Sequence, residues 1–513
     1  MPTRIYLSST RQILNMKNNI KKYIPWIILF LLVASLGTWY YLSRRVSAEQ
    51  LSQYESKIEE ALDYEESRDF SMAMKRYYEA AEIVPKKVEA YDGIISVLIK
   101  KDKLDDAEEV IKQSAKPLSN NDRSALYKKL GDEYYSRKLF DKAYEMYDAG
   151  SFLGVNNPGL DLMLGKTYLN QGKVSDARAQ FSKSGYAGRE LEEANLLLAY
   201  IDAIDNTDKA KSTLNSVSNS DEMEIYYEEF RKTLENLDDD KKFNAAKLAR
   251  VYINNGYPYL AILVLEPLRD DISEYLEGLY FLGRAYYDYG DYSKSIETLD
   301  SALTLGGMEG EIFWVKGRAY MLTNNLESAI NSYDSAIGYY SGEKSSALVE
   351  EYFHLLLENN QLLKAEELVK SLLIAFPDEV YLNLLAVELN YILDEDAKVE
   401  FYLNYLEELR EEVTFVRNDE KDFLRWRITT LIDSYERNIE DDSVGEEMVD
   451  IERYMDELFE LDKYSPYYRY FLARVQIIEG EEEMAIQSLE QAIEYDLDYS
   501  VTDQCLKLLS SLR

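Results

Sequence analysis

Residues Leu276–Glu309 read LEGLYFLGRAYYDYGDYSKSIETLDSALTLGGME, and Gly310–Glu343 read GEIFWVKGRAYMLTNNLESAINSYDSAIGYYSGE. The second stretch is a variation on the first at an offset of 34 residues: Gly283 maps onto Gly317, Tyr286 onto Tyr320 and Ala302 onto Ala336. A repeated helix–turn–helix unit packs only on its neighbours, so a chain built from such units grows as one elongated stack. That overrides the several separate domains a length of 513 residues would otherwise suggest.

The period and the placement of these residues resemble the tetratricopeptide repeat. The resemblance implies an all-α chain, a right-handed α-solenoid of helical hairpins. In that family large residues occupy repeat positions 4, 7, 11 and 24, small ones 8, 20 and 27, and proline often closes the unit at 32. Small residues let the two antiparallel helices approach, and large ones fill the gaps around them. Further copies start at Tyr54, Val88, Ser124, Pro158 and, more weakly, Leu191. The register then breaks: Asp221–Leu237 reads as an extra helix, followed by the charged run Asp238–Lys242. It resumes at Lys242 and continues through the quoted pair to a unit at Ser346, loosens from Glu379, and returns at Pro466.

The expected layout is a basic segment over 1–23, an anchor over 24–42, a juxtamembrane stretch over 43–53 and a first sub-array over 54–220. An extra helix and joint over 221–241, a second sub-array over 242–378 and degenerate hairpins over 379–465 follow. A last unit with a closing helix takes 466–513 and caps the final apolar face.

Ile24–Leu42 is a run of 19 residues without a charge, long enough for one helical crossing of a bilayer. Trp26 lies near one end and Trp39, Tyr40 and Tyr41 near the other, where amphipathic rings favour the interface. The heavier basic flank, Lys17, Lys21 and Lys22, precedes it, which predicts a cytoplasmic N-terminus and an extracytoplasmic array in a cell membrane of bacterial type. The rival is a cleaved signal peptide ending at Val46-Ser47-Ala48; the apolar run exceeds the usual length and Arg44 and Arg45 intervene.

Net charge is −37, and the first 48 residues hold seven Lys and Arg and no acid, leaving 51 Lys and Arg against 95 Asp and Glu elsewhere. Such a body has no basic footprint for nucleic acid. One cysteine, Cys505, and one histidine, His354, exclude an intramolecular disulfide and a Cys/His zinc site. Leu305–Gly310 is glycine-rich but lacks the Lys-Ser/Thr of a phosphate loop. No catalytic constellation, cofactor, metal or small-molecule substrate is expected.

The resemblance also implies an inner groove, lined by positions 2, 5, 9 and 12 of each first helix. Position 9 is Lys166, Arg250, Arg284, Arg318, His354 or Arg474. Position 5 supplies Tyr280, Trp314 and Tyr470, and position 12 supplies Tyr135, Tyr287 and Met321. Arginine beside aromatic rings suits carboxylates and extended peptide. The same arginines equally suit pairing with an acid of the next repeat. The expected function is a membrane-anchored scaffold, held through residues 24–42, that binds proteins or peptides and assists envelope assembly, secretion or a chaperone network. The alternatives are an import receptor facing the cytosol and a regulatory subunit of an envelope polysaccharide enzyme. An anchored relative of the latter kind carries a four-cysteine module that a chain with Cys505 alone lacks.

Overall fold

The computed structural model describes residues 46–183, 185–216, 223–339, 346–438, 445–497 and 500–512. Regular structure among these residues is entirely helical, with 26 α-helices and one short 3₁₀ turn. Five hairpins come first: α1 (Ala48–Glu66) with α2 (Phe70–Ile83), α3 (Val88–Lys100) with α4 (Leu104–Gln113), and α5 (Asn120–Ser136) with α6 (Phe140–Phe152). The other two are α7 (Pro158–Asn170) with α8 (Val174–Phe181), and α9 (Gly188–Ala203) with α10 (Thr207–Leu214). A single helix, α11 (Glu224–Glu235), follows. Then come α12 (Lys241–Asn254) with α13 (Pro258–Leu265), α14 (Leu276–Tyr289) with α15 (Tyr292–Leu303), and α16 (Glu309–Leu322) with α17 (Leu326–Tyr339). Next are α18 (Ser346–Glu358) with α19 (Leu362–Ala375), and α20 (Val380–Ile392) with α21 (Asp396–Glu412). The last hairpins are α22 (Arg417–Asn438) with α23 (Gly445–Leu461), and α24 (Pro466–Ile478) with α25 (Glu482–Tyr495), before α26 (Thr502–Leu512) closes the stack.

One local device builds most of these hairpins. In ten of them the turn between the helices contains a left-handed residue, a glycine such as Gly290 (φ 96°) or another residue such as Asn324 (φ 56°). In nine of the ten the N–H after it donates to the carbonyl five residues back, as from Asp291 to Tyr286 and from Asn325 to Tyr320, both at 2.9 Å. This satisfies a carbonyl that the helix end would leave unpaired and turns the chain back on itself.

Inside four of the hairpins the two helices meet over a glycine. Gly131 lies beneath Tyr147, Gly165 beneath Phe181, Gly283 beneath Leu299 and Gly317 beneath Tyr333, always 16 residues apart. A methyl group on Gly131 would sit 2.5 Å from a ring carbon of Tyr147, closer than any real contact. Between hairpins, first helices lie on first helices: α12 on α14, α14 on α16, α18 on α20, α20 on α22 and α22 on α24. First helices therefore line the tighter, inner side of the solenoid.

The extra helix α11 does not interrupt the core. Its Phe230 is fully buried edge-on against Tyr200 of α9, with ring centres 4.6 Å apart. Its Tyr227 hydroxyl donates to the Glu192 carbonyl at 2.7 Å. One apolar cluster runs from Leu162 to Val315, through the stretch expected as a joint. Cys505 is buried on α26, and burial pushes its thiol up to about 12. No helix among the described residues is long and apolar enough to cross a membrane. The expected anchor, 24–42, lies outside the described residues, as do 1–23 and the stretch 43–45.

Candidate functional site

The sequence-derived stripe falls into separate places on the inner face. The fullest is carried by α14, α16 and α18. Tyr287, Arg318, Met321 and His354 surround a cavity of about 350 Å³, together with Leu322, Tyr333, Glu351, Leu355 and Glu358. Its walls are mostly aromatic and aliphatic.

Arg318 is held there from two sides. Its guanidinium lies 4.3 Å from the ring centre of Trp314, one helical turn earlier. Its Nε and Nη2 each donate at 2.8 Å to one oxygen of Glu351 on α18. Trp314 Nε1 donates to the same carboxylate at 3.0 Å, and the Tyr333 hydroxyl at 2.6 Å. Burial pushes the Glu351 carboxyl up, but the hydrogen bonds from Arg318, Tyr333 and Trp314 outweigh it and hold it below its usual range. The Nε–Nη2 edge of Arg318, the fork that would grip a ligand carboxylate, is thus occupied from within the protein.

Arg284 occupies the same repeat position one unit earlier but is held differently. Its Nε donates at 3.0 Å to Asp288, one turn along its own helix. Glu351 takes the sixth position of its unit, and the residue at that position in the unit after Arg284 is Val315, which has no carboxylate to offer. Tyr280 is buried beside Arg284.

The other stripe residues lie elsewhere. Lys166 on α7 bonds Glu193 of α9 at 2.7 Å, with its ammonium 5.7 Å from the Tyr135 ring centre. The packing of α13 on α7 leaves Lys166 only 18% exposed. Arg250 is exposed on α12. Arg474 on α24 reaches back to α22, donating to Glu436 at 3.1 and 2.7 Å and to Asp433 at 2.7 Å, with the Tyr470 ring centre 6.0 Å away.

The cationic stripe leaves out a group of carboxylates beside it. Glu350 of α18, Glu388 of α20 and Asp419 and Asp422 of α22 act on one another and on His354 and Arg425. His354 Nδ1 is 4.0 Å from Glu388 Oε1. Burial raises the Glu388 carboxyl above its ordinary value against the pull of His354 and Arg425. Burial and the Asp419 charge do the same to Glu350. Among the described residues no three His, Cys, Asp or Glu converge in a way that would hold a metal.

A tetratricopeptide-repeat family model matches residues 280–344, and a second such model matches 466–499. This chain contains tetratricopeptide repeats. The first match covers most of the repeated stretch and the cavity residues from Tyr287 to Tyr333, with Glu351, His354, Leu355 and Glu358 beyond it; the second covers the hairpin α24–α25. Several solved helical structures are similar over most of the chain. The Naa15/Naa10 complex bound to HypK is 11% identical, with coverage of 91% of this chain and 96% of that one and a TM-score of 0.37. Yeast Tom70 is 14% identical, covering 90% and 95%, with a TM-score of 0.36. The Cut9–Hcn1 hetero-tetramer of the APC/C is 12% identical, covering 92% and 98%, with a TM-score of 0.32. No curated protein matches the chain.

Proposed function

We propose that the protein is a membrane-anchored tetratricopeptide-repeat scaffold that holds an extended segment of a partner protein along its inner face. The observation that carries this is the apolar cavity around Tyr287, Met321, Leu355 and His354, which joins repeats that the family model matches to the hairpin that follows them. A side chain of the partner enters that cavity. Its backbone then runs past α18 and α20, where Glu350 and Glu388 favour a segment with Lys or Arg over an acidic one. Residues 24–42 anchor the chain, and the basic flank before them supports an array on the extracytoplasmic side, where it serves assembly or secretion in the envelope.

The test places a photo-crosslinking residue at His354, half-exposed at the cavity, and in a second variant at Leu363, exposed on α19. A defined partner set captured from His354 and missing from Leu363 supports the reading; the same set from both positions overturns it. Arg284→Glu and Arg318→Glu, made singly, separate the roles of the stripe. Arg318→Glu lowers the melting temperature because it faces Glu351 with a like charge, whereas Arg284→Glu leaves it nearly unchanged. A reporter active only outside the cytoplasm, fused after Arg513, is active if the proposed orientation is right and silent if it is wrong.

A further inference from the structure

The two ends of the array touch. Arg68 in the turn after α1, Ser71 at the start of α2 and Lys101 just past α3 face the end of α25 and the loop before α24. Glu494 is the centre of the contact. One of its oxygens accepts from Ser71 Oγ at 3.1 Å, and the other lies 3.2 Å from Lys101 Nζ. Arg68 Nη1 donates to the Tyr464 carbonyl at 3.4 Å, with its guanidinium 5.6 Å from the Tyr464 ring centre. These pairs are 393 to 423 residues apart in sequence.

Three features set this seam apart from the interfaces between hairpins. It is polar: the apolar clusters of the first hairpins and of the last remain separate. It is loosely filled: a cavity of about 300 Å³ straddles it, lined by Arg68 from one end and Tyr467, Tyr495 and Ser500 from the other. Its central residue also breaks a local rule. Glu494 is an acid in the last turn of α25, where the helix dipole disfavours negative charge, and no basic residue lies in that turn. Lys101, from the opposite end of the chain, supplies the compensating charge. Contacts made of partly exposed ion pairs contribute little and are screened by salt, unlike the buried seams of the hairpin stack.

We propose that this seam is a clasp: the array passes between a closed form, held by Glu494 against Ser71 and Lys101, and an open form in which the first and last hairpins part while every hairpin stays folded. Opening exposes the inner face to a long partner segment, a consequence that rests on the groove reading above; the clasp itself does not.

The test uses the full chain with dyes on Lys75→Cys and Gln491→Cys, both exposed positions, while the native Cys505 is buried and escapes labelling. Single-molecule energy transfer is followed from about 0.01 to about 1 M salt, over which the screening length falls from roughly 30 to 3 Å. A high-transfer population at low salt that gives way to a low-transfer one at high salt supports the clasp. Glu494→Lys empties the high-transfer population at all salts, and adding Lys101→Glu refills it. Circular dichroism unchanged across the variants shows that the hairpins remain folded. A transfer efficiency indifferent to salt and to Glu494→Lys overturns the proposal, as does a high-transfer signal that disappears on dilution, which would place the contact between copies. Failure of the His354 crosslinking with a working clasp would sink the groove alone.

Discussion

Glu351 shows how one carboxylate organises a repeat interface. It accepts from Arg318, Trp314 and Tyr333, joining two consecutive hairpins through side chains that would otherwise face solvent or an empty cleft. Its neighbour Glu350 lies among Asp419 and Asp422 instead. The two residues therefore respond oppositely to pH. The Glu351 carboxyl sits below its unfolded value near 4.3. Its contribution is complete above that pH and is lost as pH falls through the folded value. The Glu350 carboxyl sits above its unfolded value, so stability is lost as pH rises through the folded one. Glu351→Gln should cost about 2 kcal/mol at pH 7, since it leaves a half-buried guanidinium short of its partner. Glu350→Gln should raise the urea midpoint at pH 7 and change it little near pH 4. Urea titrations of both variants at the two pH values check this; midpoints that move together would refute the opposed assignment. The stripe positions were legible because a repeat fixes where a side chain points. The partner was not, because it depends on the spacing to the next unit. With the unit at Ser346 starting 36 residues after Gly310, not 34, the sixth position falls on Glu351, where the unit before has Val315.

At the scale of the element, the rule is a small residue in the first helix beneath a large one 16 residues later. It explains why α5–α6, α7–α8, α14–α15 and α16–α17 are the hairpins most plainly written in the sequence: each carries its glycine and its large partner in register. The hairpin α22–α23 holds together by other means. α22 is 22 residues long and packs Phe423, Leu424, Ile428 and Ile432 in an ordinary apolar stripe, which any amphipathic helix would show. A pattern that generic reveals a helix without saying which neighbour it meets. Gly131→Ala separates the two kinds of packing. In an exposed helix the change stabilises by up to about 1 kcal/mol. Here the new methyl meets the Tyr147 ring, which is itself fully buried and tied through its hydroxyl to Asp132 at 2.8 Å. Overpacking of this kind costs about 1–3 kcal/mol, so the net effect is a loss of about 1 kcal/mol. Adding Tyr147→Leu should recover part of it by removing the clashing ring. If Gly131→Ala raises the denaturation midpoint, the close approach of α5 and α6 is not what selects glycine.

The whole molecule depends on sums that no local pattern carries. Each hairpin is rotated slightly against the last, and only the accumulated rotation decides whether the ends meet; that is why contacts across some 400 residues had no counterpart in the repeat reading. The break after the fifth hairpin is a similar case. The sequence around Asp238 has the charge of a joint, yet α11 inserts Phe230 and Tyr227 into the same apolar cluster as α9 and α12. If that cluster is one cooperative unit, damage at α11 must be felt on both sides. Phe230→Ala removes a fully buried ring stacked edge-on against Tyr200, a loss of about 3–5 kcal/mol. Hydrogen exchange read by mass spectrometry should then speed up in α9 and in α12 together, while α1–α4, in a separate cluster, keeps its protection. Faster exchange confined to α11 would mean that the helix is a spacer between two independently stable arrays and that the junction is free to bend. Spread to both neighbours would mean that the array is rigid through its middle, leaving the polar seam between its ends as the place where it opens.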